Sequence, residues 1–230
     1  MGYAERALVR NLFLCLPASS FVAVVGHNGS GKTTFFRALT GQLTYQGGIQ
    51  LLGQEVRSVS RPALAATLGY LPQRGSLDFP IAVRELVVMG RYRHHGLLSA
   101  YSTADYALAD AALQQVGMAH LAGRDFTQLS GGEQQLVWLA QLSLQDAPVY
   151  VLDEPTQQLD LYYRRQVFDL IQRWTQQGKT VLCSTHDIDN LPALQGYLLN
   201  LSEAQPQLRA ISPAAVQAAR EVLEAAPAGL

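Results

Sequence analysis

Residues 21–33, FVAVVGHNGSGKT, decide the fold. Phe21 to Val25 form a short apolar run rich in β-branched residues, which predicts a strand buried on both faces. The next stretch, Gly26-His27-Asn28-Gly29-Ser30-Gly31-Lys32-Thr33, places glycine, four residues and then Gly-Lys-Thr without a mismatch. A helical pattern, KTTFFRALTGQL, follows and ends near Gly41. Strand, glycine loop and helix in that order build a phosphate cradle. The glycines let successive backbone N–H groups turn inward, Lys32 adds a point charge, and the Thr33 hydroxyl is placed for Mg2+.

Further along, VYVLDEP at 149–155 reads as a second buried strand whose C-terminal end carries Asp153. Open α/β sheets bind ligands at that end. An acid there holds Mg2+ through water, and Glu154 beside it is a candidate general base for a water aimed at a terminal phosphate. A nucleotide triphosphatase follows, and no Asn-Lys-x-Asp element for reading guanine is present. GGIQLLG, KTVLCST at 179–185 and GYLLNL at 196–201 read as further strands, with a helix pattern over 161–174. Ser212-Pro213 reads as an N-cap and first helical residue of a last helix to about Glu224. Strands alternating with helices predict an α/β core with a parallel sheet. Between Gln73 and Gln141 the character is helical, including Val83 to Met89 and a helix opened by Ser102 and closed by Gly117. The predicted organisation is one domain, with a core over 1–72 and 142–230 and an inserted helical subdomain over 73–141.

The 230 residues are long enough to bury a large core, and 48% hydrophobic with 15% charged residues is the composition of a globular chain. A net charge of -1 gives no footprint for DNA or RNA, so no nucleic-acid partner is expected. Cys15 and Cys183 lie far apart and outside any metal spacing, which predicts free buried thiols in a reducing compartment. The N-terminus lacks the basic, apolar and small-residue regions of a signal peptide. Pro17, His27 and several serines and glycines interrupt the uncharged run from Asn11 to Gly31, so no membrane span is expected.

A second glycine motif remains, Leu129-Ser130-Gly131-Gly132-Glu133. Ser130 and Glu133 have the spacing of a capping box. That box leaves Gly131-Gly132 unexplained, because glycine costs roughly 1 kcal/mol in a helix. A phosphate loop, then LSGGE, then a strand ending Asp-Glu resembles the ATPase subunit of ATP-binding cassette (ABC) transporters, over nearly the whole chain. The resemblance implies a P-loop NTPase core of the ABC type, with ATP and Mg2+ as cofactors. It implies a head-to-tail dimer with a second copy, in which Leu129 to Glu133 of one chain close over ATP held by the loop of the other. Gly26 to Thr34, Thr34 included, then bind ATP; Thr33, Gln73 and Asp153 arrange Mg2+; Lys32, Glu154 and His186 are catalytic. Gln73, in GYLPQ, also meets the membrane partner, Asp160 in QLD crosses the dimer interface, and Tyr3 stacks on adenine. The further partners implied are transmembrane permease subunits and, indirectly, a substrate-binding protein, which places the chain on the cytoplasmic face of the inner or plasma membrane.

Two departures from the family pattern stand out. Only Met1-Gly2 precede Tyr3, where an edge strand is usual, and Leu136 and Gln141 replace common arginines after the motif. DFPIAVRELVVMGRYRHHG at 78–96 is similar to ATPases of metal and metal-chelate importers, and LDEPTQQLDLYYRRQVFDLI to the iron-chelate, haem and cobalamin branch. Molybdate, manganese and zinc importers remain open as alternatives. His94-His95 read as a solvated loop, since adjacent histidines without further ligands make poor coordination geometry. An ATP switch of DNA repair, chromosome or translation type is the alternative function; it requires a coiled-coil insertion or a second cassette, and neither pattern is present.

Overall fold

The computed structural model describes residues 12–73, 77–95 and 99–225. In chain order the elements are β1 (Leu12–Leu16), β2 (Phe21–Val25), α1 (Lys32–Leu39), β3 (Gly47–Leu51) and β4 (Gln54–Glu55). There follow α2 (Arg61–Thr67), β5 (Leu68–Leu71), α3 (Val83–Val88), α4 (Thr103–Gln115) and α5 (Gly131–Ser143). The chain continues through β6 (Val149–Asp153), α6 (Leu161–Gln176), β7 (Thr180–Ser184), β8 (Tyr197–Asn200), β9 (Leu208–Ala210) and α7 (Pro213–Ala225).

Six strands form the main sheet in the order β5-β6-β7-β2-β8-β9, parallel except for β9. β2, β6 and β7 are buried at every position. That is why they read as uninterrupted apolar runs: helices cover both faces of a parallel sheet. Register fixes what meets at the C-terminal edge. Ser184 pairs with Asp153 on one side and with Val24 on the other. The loop that leaves β2 therefore emerges one strand away from the end of β6, with β7 between them.

One face of the sheet packs against α1, α2 and the small β1-β3-β4 sheet, through Phe35, Phe36, Leu39, Ile49 and Leu64. The other face packs against α5, α6 and α7, with the Tyr150 and Trp174 rings in tilted contact at 4.4 Å between centroids. α3, α4 and α5 share that second cluster, so the helical stretch between β5 and β6 is continuous with the core. α3 runs on into a 3-10 turn whose Gly90 lies against α5; a Cβ there would stand 2.1 Å from the Gln141 carbonyl oxygen.

Several elements go beyond the sequence reading. β1 alternates, with Leu14 and Leu16 inward and Phe13 and Cys15 outward. Cys15 is therefore exposed, against the expectation of two buried thiols, while Cys183 is buried and its thiol pushed upward by desolvation. His95 also departs from expectation. Its ring packs edge-on against Tyr101 at 5.2 Å, and Nε2 lies 3.0 Å from Asp105 Oδ2, so it is not a solvated loop residue. Ser102 caps α4 in a full capping box with Asp105, and Gly117 follows at φ 74.

Candidate active site

The glycine loop lies as its spelling requires. Gly29 and Gly31 take φ 84 and 97, left-handed values that side-chain-bearing residues rarely adopt. Gly31 is the N-cap of α1 and supplies no side-chain cap, so the first turn presents bare N–H groups. His27 is anchored from the turn after β8: its N–H donates to Ser202 Oγ at 3.0 Å, and Nδ1 lies 2.7 Å from the same oxygen. Lys32 is buried. Its Nζ donates to the Gly26 carbonyl at 2.8 Å and stands 3.8 Å from Glu154 Oε1. Burial lowers the Lys32 pKa, and Glu154 and Asp153 oppose the shift by stabilising its charge.

At the end of β6, Asp153 is 2% exposed. Oδ1 accepts a hydrogen bond from Ser184 Oγ at 2.7 Å, whereas Oδ2 is buried with no protein partner. The same Ser184 oxygen accepts from the Glu154 N–H at 2.8 Å. One hydroxyl thus holds two consecutive acids, and Glu154 sits at φ 52 while held there. The Glu154 carboxylate is gripped at both oxygens: Gln73 Nε2 donates to Oε2 at 2.8 Å, and His186 Nε2 lies 2.9 Å from Oε1. In the tautomer protonated at Nε2, His186 donates that bond. Gln73 also donates to Gln157 Oε1 at 3.1 Å. Beside Glu154 and His186 opens a cavity of about 320 Å³, walled further by Gln158, Arg164 and Asp187. Arg164 binds Asp187 at 2.9 Å, which fixes the loop after His186.

Lys32, Gln73, Asp153, Glu154 and His186, far apart in sequence, thus come together in one cluster. Ser184, Ser202, Gln157 and Arg164 were missed by the sequence reading. The only signal for Ser184 was a polar residue at the end of an apolar strand. Tyr3 lies outside the described residues.

The motif at 129–133 stands apart. Ser130 caps α5, its N–H and Oγ both donating to Glu133 Oε2 at 2.8 Å, while Glu133 N–H donates back to Ser130 Oγ at 3.4 Å. These bonds from Ser130, backbone first, lower the Glu133 pKa. Among the described residues no hydrogen bond or ion pair is seen between this motif and the Glu154 cluster. Asp160 is the N-cap of α6 and accepts from Tyr163 N–H at 3.0 Å.

Comparison with known proteins decides the lineage. Residues 9–157 match the ABC transporter family. The chain belongs to that family. This ABC protein is 37% identical over 191 residues to the achromobactin transport ATP-binding protein CbrD of Dickeya dadantii (strain 3937), covering 82% of this chain and 71% of that one. It is 36% identical over 191 residues to the manganese transport system ATP-binding protein MntB of Bacillus subtilis (strain 168), covering 82% and 74%. Among solved structures, a metal-chelate type ABC transporter in an inward-facing conformation superposes with a TM-score of 0.71 at 31% identity, covering 85% of this chain and 73% of that one. The fold is that of a P-loop ABC ATPase, and the chain is an ATP-hydrolysing, nucleotide-binding subunit. Among the described residues no helix is long and apolar enough to cross a membrane.

Proposed function

We propose that this chain drives an importer of a metal ion or metal chelate, as an ATP-bridged dimer docked on the cytoplasmic face of transmembrane permease subunits fed by a substrate-binding protein. The observation that carries the catalytic part is Glu154, held at both oxygens by Gln73 and His186 beside the unpartnered Asp153 oxygen. The relatives' cargoes, achromobactin in one and manganese in another, support the cargo class and leave chelate and free ion both open.

In this reading Lys32 and the N–H groups of 28–33 hold the phosphates, with Thr34 in the same first turn of α1. A hard cation suits the donor set, because the buried Asp153 Oδ2 is a free carboxylate oxygen and Thr33 and Gln73 add neutral oxygens. Mg2+ bound there would neutralise charge developing on the phosphates. Glu154 takes the proton of the attacking water, and His186, bonded to Glu154, positions that water beside it. Ser130 of the partner subunit and Gly132 of the partner subunit close over the terminal phosphate, with Asp160 at the same interface. The division of labour is a core of 1–72 and 142–230 that hydrolyses, and a helical subdomain of 73–141 that carries the closing element. Among the described residues, the longest helices between β5 and β6, α4 and α5, have 13 residues each. Such lengths do not form the coiled coil an ATP switch would need.

Docking on the permease is assigned to Gln73 through Met89. Phe79 is 56% exposed and Met89 is exposed with it. Pro80 restricts Phe79 and stiffens the edge. An exposed aromatic on a rigid edge is the kind of side chain that anchors an interface. Reconstitution with the permease in proteoliposomes tests the proposal: ATP-dependent uptake is expected for a ferric chelate or a divalent ion, and uptake of neither would overturn the cargo class. Phe79→Ala is expected to leave ATPase of the lone subunit intact and to reduce capture by the permease; equal capture refutes the docking assignment.

A further inference from the structure

The capping box on α5 accounts for Ser130 and Glu133 and leaves two glycines, whose surroundings differ. A Cβ on Gly131 meets nothing within 4 Å. A Cβ on Gly132 would stand 2.4 Å from Cδ2 and 2.7 Å from Cγ of Tyr163. Cγ is the root of the ring, so spinning the ring about its own axis does not clear the clash. The whole side chain would have to leave.

Leaving is obstructed. Tyr163 lies in the first turn of α6, its N–H tied to Asp160. Its ring packs against the large apolar cluster and meets Tyr162 edge-on, at 5.3 Å and 80°. The next residue, Arg164, is bound both to Asp187 and to the Leu159 carbonyl.

We propose that Tyr163 is a positioning residue: its ring seats the first turn of α5 on the first turn of α6, and Gly132 is glycine because of this contact within one chain. Gly131, facing open space, has no such contact to explain it, and the backbone N–H of Gly132 keeps the phosphate role of the proposed function. The contact has a mechanical consequence, which rests on the proposed function while the packing itself does not. Glu154 belongs to the chain's own site, and residues 154–160 lead from it directly into α6. Tyr163 therefore ties the acid of one site to the motif that closes the other.

The test compares Gly132→Ala, Tyr163→Ala, the double variant and Tyr163→Phe by thermal melting and by steady-state ATP hydrolysis. Gly132→Ala is expected to lower Tm by at least about 2 °C through overpacking. It should also lower kcat/KM by about tenfold or more, since small displacements of a positioned group carry such losses. The double variant is expected to lose less Tm than the sum of the two single losses, since Tyr163→Ala alone already removes core packing, and to raise kcat/KM at least about fivefold over Gly132→Ala alone, the non-additivity that marks a direct contact. Tyr163→Phe keeps the ring and should stay within about twofold of the parent. Strictly additive Tm losses in the double variant overturn the contact, as does a Gly132→Ala protein that melts like the parent. Non-additive Tm losses without recovery of hydrolysis overturn the positioning role and leave Gly132 to the phosphate alone. If no variant or parent hydrolyses ATP, the melts still decide the contact, and the failure belongs to the proposed function.

Discussion

α1 and α5 both carry glycine at their N-terminal ends, Gly31 as the N-cap of α1 and Gly131-Gly132 in the first turn of α5, and the two starts are built in opposite ways. α1 starts at Gly31 with no side-chain cap, no acidic residue in its first turn and a buried lysine at its first position. α5 starts at Ser130, whose cap is satisfied by Glu133 of the same turn. A helix N-terminus carries about half a positive charge. α1 leaves that charge for an anion, whereas α5 already answers it with the Glu133 carboxylate. In the proposed function the first holds a phosphate alone. In the same proposal the second meets a phosphate only when another element delivers it, as a site shared between two chains would require.

The largest expected effect tests the α1 side, where the phosphate loop meets Glu154. Glu154→Gln removes the proposed base and keeps the hydrogen-bonding shape, so turnover should fall by about 10²–10⁴ while ATP binding persists. Light scattering of that variant should show the dimer mass on adding MgATP; an unchanged mass would break the idea that α5 closes over a delivered phosphate. The comparison sharpens further in nucleotide titrations of the lone subunit. Lys32→Ala should weaken MgATP binding by roughly tenfold or more, the value of a hydrogen bond to a charged group. Ser130→Ala should leave that affinity within about twofold, since a satisfied cap has nothing to give an isolated chain. Equal losses from both would erase the distinction.

The α1 side of the comparison was legible in the sequence because it is local. Phe21 to Thr33 carry strand, loop and helix in one stretch, and the capping boxes at Ser102 and Ser130 are equally short-range. What escaped was either non-local or spelled without its usual residues. Ser184 matters because register sets it beside Asp153, and no pattern along one strand reveals which residue lies opposite. The β3-β4 hairpin turns at Leu52-Gly53, with Leu52 at φ 51 where Asn or Asp is the common signal. α2 runs straight into β5 with no linker, so Arg61 to Leu71 shows neither period cleanly. His95 was read as loop because its partners, Asp105 and Tyr101, come from across an intervening segment. The roles of the cluster around Glu154 came from a family resemblance, and the geometry adds the contacts that make them chemically reasonable.

Ser184→Ala probes the non-local part at intermediate size. The change strips Asp153 Oδ1 and the Glu154 N–H of their shared partner in a fully buried place. Unsatisfied buried groups cost about 1–3 kcal/mol, so Tm should drop by at least about 2 °C and turnover should fall with it. A variant with unchanged melting and turnover would mean that the register-set hydroxyl is dispensable.

The smallest effect separates two N-termini that look alike in sequence. α4 and α5 share the same capping box, yet Asp105 of α4 is buried and Glu133 of α5 is not. Hydrogen bonds from Ser102 chiefly, then His95 and Arg91 facing it, hold the Asp105 carboxyl well below its ordinary range. Ser130 lowers Glu133 in the same direction. A carboxyl with a depressed folded pKa contributes stability above its unfolded pKa, near 4, and loses it as pH falls through the folded value. Both boxes should therefore weaken the fold on acidification below about pH 4, the α4 box more, because its acid has three side-chain partners and little solvent to replace them. Urea midpoints measured from about pH 6 to pH 3 should fall less steeply in Asp105→Asn than in the parent, with Glu133→Gln close to the parent. Identical slopes for the two variants would show that burial adds nothing to a capping box here, and the contrast among glycine-led, exposed and buried N-termini would reduce to the glycine loop alone.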